Sequence, residues 1–166
     1  MRQIILVMHN IRSCYNVGAI LRTAEGFGVF RVILSGYTPR VHDKNLLPHL
    51  RAKLDNEIHK TALGAEDMLD IYACDDIKTE VRKLKMEGWQ IVGLENNIEC
   101  KTYLLGSEEL HEKLSDKVVL ILGEEVNGID NSLHELIDLF MEIPMRGQKE
   151  SFNVSVATGI ALFGIL

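Results

Sequence analysis

Two continuous apolar runs, residues 4–8 (Ile-Ile-Leu-Val-Met) and 118–122 (Val-Val-Leu-Ile-Leu), constrain the fold of this chain most strongly. Neither run alternates with polar residues, so a strand in either place must be covered on both faces, as in a parallel sheet packed between helices. Each run ends abruptly, the first at His9-Asn10 and the second at Gly123. Helical periodicity follows the first: Val17, Ile20, Leu21, Ala24 and Phe27 fall on one side, with Asn16 a candidate N-cap and Gly28 a candidate left-handed stop. Further strands are expected at residues 32–34, 90–94 and 141–143, with helices starting at Asp75 or Asp76 and spanning about 133–137. An irregular stretch from 35 to 70 is expected to hold a loop and a short helix or two. The last segment, from Ser151 onward, is apolar nearly all round and reads as a helix buried on several sides. The pattern predicts an α/β domain, a mostly parallel sheet covered by helices, spanning residues 1–166 as one unit. In such sheets ligands bind beyond the carboxyl ends of the strands, which directs attention to the loops beginning at His9, Leu94, Gly123 and Ile143.

The size and apolar content suit one domain with a sizeable core. No leader-like segment opens the sequence, and the longest apolar stretch, 154–166, is too short to span a bilayer. Three widely spaced cysteines, Cys14, Cys74 and Cys100, suggest neither a disulfide framework nor a zinc site. The expectation is a cytoplasmic protein without a structural metal or a membrane partner. The net charge of -6 disfavours phosphate binding at first. Its distribution is uneven: up to Lys53 eight basic residues stand against Glu25 and Asp43, a local charge of +6, while the remainder carries -12. A local basic face on an acidic domain is compatible with a nucleic-acid partner, and equally with ordinary solvated side chains.

Three polar segments interrupt the apolar pattern. Gly123-Glu124-Glu125-Val126-Asn127-Gly128 lacks the Lys-Ser/Thr ending of a phosphate loop, and its carboxylates repel phosphate but attract a cation. The alternative is a polar turn with two solvated acids. In the segment from Asn10 to Arg22, Asn16 and Arg22 lie six residues apart, near two helical turns, so both can reach one crevice. There an arginine offers a permanently charged fork for phosphate; equally, Asn16 only caps the helix and Arg22 faces solvent. Ser151 and Asn153 enter an apolar helix, either as caps or as site residues.

Taken together, the three segments resemble the motifs of the SpoU/TrmH family of the SPOUT superfamily of RNA methyltransferases. The first looks like N-x-R-x-x-x-N-x-G-x-x-x-R-T-A, met by Asn10, Arg12, Asn16, Gly18, Arg22, Thr23 and Ala24. The second is similar to G-x-E-x-x-G, met by Gly123, Glu125 and Gly128. The third is close to I-P-M-x-G with S-L-N-V-S-x-A, met by Ile143, Pro144, Met145, Gly147, Ser151, Asn153, Val154, Ser155 and Ala157. Lys60-Thr61-Ala62-Leu63-Gly64-Ala65 matches a further stretch common between the first two motifs. Ser13-Cys14-Tyr15 replaces the more usual acidic-Pro spacing, and Phe152 stands in for Leu. The sequence shows none of the added terminal RNA-binding extensions of many relatives.

The resemblance implies a deep trefoil knot in the C-terminal part, a homodimer, S-adenosylmethionine as cofactor, and methyl transfer to a ribose 2′-hydroxyl of tRNA or rRNA. It carries Arg22 to the catalytic arginine, Asn16 and Glu125 to supporting polar residues, and Ser151 and Asn153 to residues near the methyl donor. Leu94, Gly123, Ile143 and Phe152 fall where relatives hold the adenosine, and Asn10, Arg12 and Arg22 where RNA is expected. Since a free hydroxyl is a poor nucleophile, its proton must leave as the bond forms. Arginine is an unusual base because the guanidinium holds its proton far above neutral pH, so Arg22 either takes the proton or holds a phosphate and positions the hydroxyl. His9 is a conventional base by type and ranks second. The other reading is a non-catalytic RNA-binding dimer that keeps the fold.

Overall fold

The computed structural model describes residues 2–96, 98–124 and 127–166. Seven strands form one sheet in the order β3-β2-β1-β6-β4-β7-β5, and every pairing is parallel. β1 (Gln3–His9) and β6 (Lys117–Leu122) are neighbours in its interior, paired from Gln3↔Lys117 to Met8↔Leu122. β2 (Arg31–Ser35) and β3 (Ile71–Cys74) extend the sheet on one side; β4 (Gln90–Leu94), β7 (Leu139–Glu142) and β5 (Thr102–Leu104) extend it on the other.

The apolar runs are continuous because alternate residues feed different cores. Ile4, Leu6 and Met8 with Val118, Leu120 and Leu122 pack against α1 (Cys14–Gly26), α2 (Pro48–Ala62) and α6 (Val154–Ile165). Ile5, Val7, Val119 and Ile121 pack on the opposite face against α3 (Ile77–Met86) and Leu133 of α5 (Asn131–His134). α4 (Glu108–Lys113) contributes Leu110 to the first core. Two cores on one sheet match the period-two direction of strand side chains.

Several expectations shift. Ser13 caps α1, its Oγ accepting from the Asn16 backbone N–H at 3.3 Å, so Asn16 is not the cap but sits inside the first turn. Residues 35–70 contain a 15-residue helix, α2, that buries only Ile58 and Ala62, followed by a short 3-10 turn at Ala65–Asp67. The edge strands β3 and β5 and the helix α4 were not expected. α5 begins earlier than the periodicity suggests because Asp130 accepts from Ser132 N–H. β7 ends at Glu142, leaving Ile143 as the first loop residue. α6 is not buried all round: Thr158, Ala161, Leu162 and Ile165 face the core, while Val156 and Phe163 are 50% and 80% exposed. Among the described residues no helix is long and apolar enough to cross a membrane.

Gly18 explains the close approach of α1 and α2. A Cβ there would lie 2.2 Å from Thr61 Oγ1 and 2.3 Å from the Ile58 carbonyl oxygen. Thr61 donates its hydroxyl to the Tyr15 carbonyl at 2.9 Å, joining the two helices at that point. The Lys60–Ala65 stretch singled out in the sequence therefore ends α2, with Leu63 and Gly64 both at positive φ.

Candidate active site

The carboxyl ends of β4, β6 and β7 and the start of α6 enclose a cavity of about 510 Å³, within the usual range for small-molecule sites. Leu94, Leu122, Ile143, Val154 and Ala157 give it apolar walls; Glu95, Asn96, Glu124, Glu150, Ser151 and Asn153 give it polar ones. Gly123 and Phe152 complete the wall beside Glu124 and Asn153.

Two residues just past β4 organise this cavity, and the sequence patterns did not single them out. Asn96 accepts from the Ile143 N–H at 3.1 Å and donates its amide to the carbonyls of Ile143 at 2.9 Å and Glu150 at 3.3 Å. One side chain thus holds both ends of the loop between β7 and α6. Glu95 accepts from the Ile129 N–H at 2.7 Å, fixing the far side of the Gly123–Gly128 turn. Their only signal in the sequence is position, directly after a buried strand at the carboxyl edge.

Close backbone contact shapes the turn itself. Glu124 and Gly128 exchange both backbone hydrogen bonds, at 3.0 and 3.1 Å. A Cβ on Gly123 would sit 2.2 Å from the Gly128 carbonyl carbon, and Gly128 has φ +71° with Glu95 pressed against it. Both glycines of the turn are therefore required by space or by backbone angle. The Glu124 carboxylate is held below its ordinary value, first by the Tyr37 hydroxyl and then by the Asn127 amide, which both donate to it. Glu125 lies outside the described residues.

The first and third motifs meet directly. Asn153 caps α6, its Oδ1 accepting from Ser155 N–H at 2.9 Å and Ser155 Oγ at 2.7 Å. Its amide donates to Asn16 Oδ1 at 3.2 Å. Capping and bridging are thus the same side chain's two ends. Ser151 is exposed on the cavity wall. Arg22 is exposed on α1 and does not line the cavity; six residues beyond Asn16, it lies about 9 Å further along the helix axis.

Asn10 and His9 form a polar hub under the site. Asn10 adopts φ +61°. Its Oδ1 accepts from Tyr37 N–H at 3.3 Å, so its amide nitrogen donates to His9 Nε2 at 3.2 Å. That leaves Nδ1–H of a neutral imidazole to donate to the buried Ser35 hydroxyl at 2.9 Å. Burial lowers the His9 pKa, against the pull of Asp130 and Glu124. The nitrogen that could accept a proton is already engaged by Asn10. Arg12 is exposed, over the Tyr37 ring and 3.6 Å from Glu124.

Chemically, the cavity combines apolar walls, a backbone edge at Gly123 and three carboxylates, a set suited to a flat heteroaromatic ligand carrying positive charge.

Comparison with known proteins agrees with this architecture. The model of the SpoU rRNA Methylase family matches residues 3–163. The chain is similar to the 23S rRNA (guanosine-2'-O-)-methyltransferase RlmB of Xylella fastidiosa, 34% identical over 160 residues, covering 96% of this chain and 57% of that protein. It is also similar to the Pseudomonas aeruginosa protein of the same name, 32% identical, covering 98% of this chain and 58% of that one. The chain therefore spans little more than half the length of these relatives. Among solved structures, an AdoMet-bound rRNA methyltransferase from Sinorhizobium meliloti superposes with a TM-score of 0.79 at 23% identity, covering 98% of this chain and 55% of that one. The A. aeolicus TrmH/SpoU tRNA modifying enzyme superposes with a TM-score of 0.77 at 25% identity, covering 99% and 74%. With the family model matching nearly end to end on an all-parallel sheet whose first and third motifs touch, the chain belongs to the SpoU rRNA methylase family.

Proposed function

We propose that this chain is the catalytic domain of an S-adenosylmethionine-dependent RNA methyltransferase that modifies a ribose 2′-hydroxyl and works as a cytoplasmic homodimer. The observation that carries the reading is the Asn16–Asn153 contact at the edge of an acid-lined cavity. It joins a segment suited to RNA with a segment suited to the cofactor. Ribosomal RNA is the favoured target, since the curated relatives are named for 23S rRNA. The same reading carries a deep trefoil knot in the C-terminal part, supported by the likeness to solved SpoU-type structures.

The residues present fit the cofactor. Apolar Leu94, Ile143 and Leu122 suit the adenine, the backbone at Gly123 offers a polar edge, and the carboxylates favour the sulfonium and ammonium charges. When bound, the cofactor supplies an electrophilic methyl group. Asn153 and Asn16 then hold the approach between cofactor and RNA, and Arg12 faces the backbone phosphates. Arg22 either takes the hydroxyl proton or clamps a neighbouring phosphate; the planar, two-pronged guanidinium suits the clamp. Glu125 belongs to the supporting polar set by its place in the motif.

Exposed Val156 and Phe163, seven residues apart on one side of α6, support the dimer, because large apolar side chains cost free energy in water unless covered. The non-catalytic reading takes the position of Arg22, away from the cavity, at face value. The catalytic reading requires bound RNA or a second copy to bring the two together. Calorimetry with S-adenosylmethionine and its demethylated product, followed by mapping of 2′-O-methyl marks in total RNA with and without the gene, decides between them. Binding plus one lost mark is expected; no binding at millimolar cofactor removes the proposal, and binding without any lost mark favours the non-catalytic dimer.

A further inference from the structure

Tyr37, Arg12 and Glu124 stand on the loops that leave three adjacent strands, β2, β1 and β6, and they meet above the carboxyl edge of the sheet. The Tyr37 hydroxyl donates to the Glu124 carboxylate. The Arg12 guanidinium lies 5.6 Å above the Tyr37 ring centroid, with Nε 3.4 Å from the phenolic oxygen, and reaches to 3.6 Å from Glu124. The two acceptors and donors are matched in charge state: burial and the Glu124 carboxylate raise the Tyr37 pKa, keeping the phenol a donor, while that donation keeps Glu124 an anion. Glu124 is also the residue whose backbone closes the turn against Gly128. A force on its carboxylate is therefore a force on the cavity wall. Arg12 meets both ends of Tyr37, closely stacked over the ring and more loosely at the hydroxyl.

We propose that Tyr37 is a positioning residue serving both ligands of the site: its hydroxyl sets the Gly123–Gly128 turn against the cofactor cavity, and its ring presents Arg12 to an RNA phosphate. The inference rests on the reading of the cavity as the cofactor site and of Arg12 as RNA-facing. Neither role belongs to a sequence motif; Tyr37 is recruited by geometry alone.

Because the ring keeps its contact with Arg12 when only the hydroxyl is removed, two substitutions separate the roles. Tyr37→Phe keeps the ring and loses the hydroxyl; Tyr37→Leu loses both. For wild type and both variants, S-adenosylmethionine affinity is measured by calorimetry, affinity for a labelled 23S rRNA transcript is measured across a salt series, and melting temperature is measured alongside. Tyr37→Phe is expected to weaken cofactor binding about three- to tenfold, the worth of one ordinary hydrogen bond at an exposed site, with RNA affinity within about twofold because the ring still holds Arg12. Tyr37→Leu is expected to weaken both and to reduce the salt slope of RNA binding by about one, as for a lost phosphate contact. Cofactor affinity of Tyr37→Phe equal to wild type overturns the inference. So do parallel losses of both affinities with a falling melting temperature in both variants, which mark a merely structural residue. If the wild-type protein itself binds no cofactor, the functional reading fails first and takes this inference with it.

Discussion

The amide of Asn153 donates to the side-chain oxygen of Asn16 at 3.2 Å, although the two residues are 137 positions apart in sequence. Neither side chain is spare: Ser13 has taken over the cap of α1, which releases Asn16, and the other end of Asn153 caps α6. The contact fixes the relative position of the two helix starts on either side of the candidate site.

Asn153→Ser tests this division of labour. Serine is as good a cap as asparagine, but it is too short to reach Asn16. Melting temperature is expected to stay near wild type while single-turnover methyl transfer falls about tenfold or more. An equal loss in an Asn153→Ala variant, accompanied by a loss of about 1 kcal/mol in stability, separates the cap from the bridge. Unchanged transfer in Asn153→Ser would show that the bridge is ornamental.

Arg22→Ala distinguishes an exposed helix residue from a catalytic one. The catalytic reading expects single-turnover transfer to fall about a hundredfold or more with cofactor affinity retained. The exposed-residue reading expects a stability change within about 0.5 kcal/mol and wild-type rates. Arg22→Lys adds resolution, since a point charge still meets a phosphate but a two-pronged fork is lost.

Gly18→Ala is expected to destabilise the protein by about 1–3 kcal/mol in urea unfolding. The added methyl would fall inside contact distance of Thr61 and of the Ile58 carbonyl. Backbone has no rotamer to escape into, so α1 and α2 must separate. A variant as stable as wild type would mean the helices have slack that their geometry does not show.

Light scattering is expected to report about twice the 18.7 kDa chain mass. Phe163→Glu should return the protein to one chain mass without loss of fold, because the Phe163 side chain makes little contribution to its own core at 80% exposure. A wild-type monomer at micromolar concentration would leave the exposed Val156 and Phe163 unexplained by self-association.

His42 lies between Asp55 and Asp67, at 3.3 and 3.1 Å. Its pKa is raised, first by the hydrogen bond to Asp67. A raised folded-state value gives stabilisation that is complete below the ordinary 6.5 and is lost as the pH rises through the folded-state value. Melting temperature is therefore expected to fall as the pH climbs past neutrality, by a small amount because the pair is largely solvated. His42→Asn, which tolerates the left-handed backbone at φ 55°, should flatten this dependence. A slope identical in both proteins would assign it to another group.

The sheet's interior was legible because β1, β4 and β6 are buried on both faces and so read as unbroken apolar runs. β3 and β5 were not, since they are only four and three residues long, too short for a run to stand out. α2 escaped for a different reason: it buries two residues in fifteen, leaving almost no stripe to detect. At the site, motif residues with fixed spacing could be named in advance, and Leu94, Gly123, Ile143 and Phe152 do line one cavity. Glu95, Asn96 and Tyr37 could not, because their work is done across space on loops from other strands. No periodicity encodes such a contact.

The central pairing of β1 with β6 carries a consequence for how the protein reaches its working state. Gln3 pairs with Lys117, 114 positions further along, so the union of these strands closes a very large loop and belongs among the slow, non-local steps of folding. Every wall of the cavity except α6 leaves β4, β6 or β7, all on the β6 side, while Asn16 follows β1. Before β1 and β6 join, α1 is not in place, and α6, the remaining wall, lacks the helix it packs against and the Asn16 side chain it binds. A ligand of the assembled cavity therefore meets an unfinished site in the intermediate, and its binding energy reinforces the completed fold. Ligand occupancy would then serve as a census of correctly finished molecules, counting none that stopped one strand short.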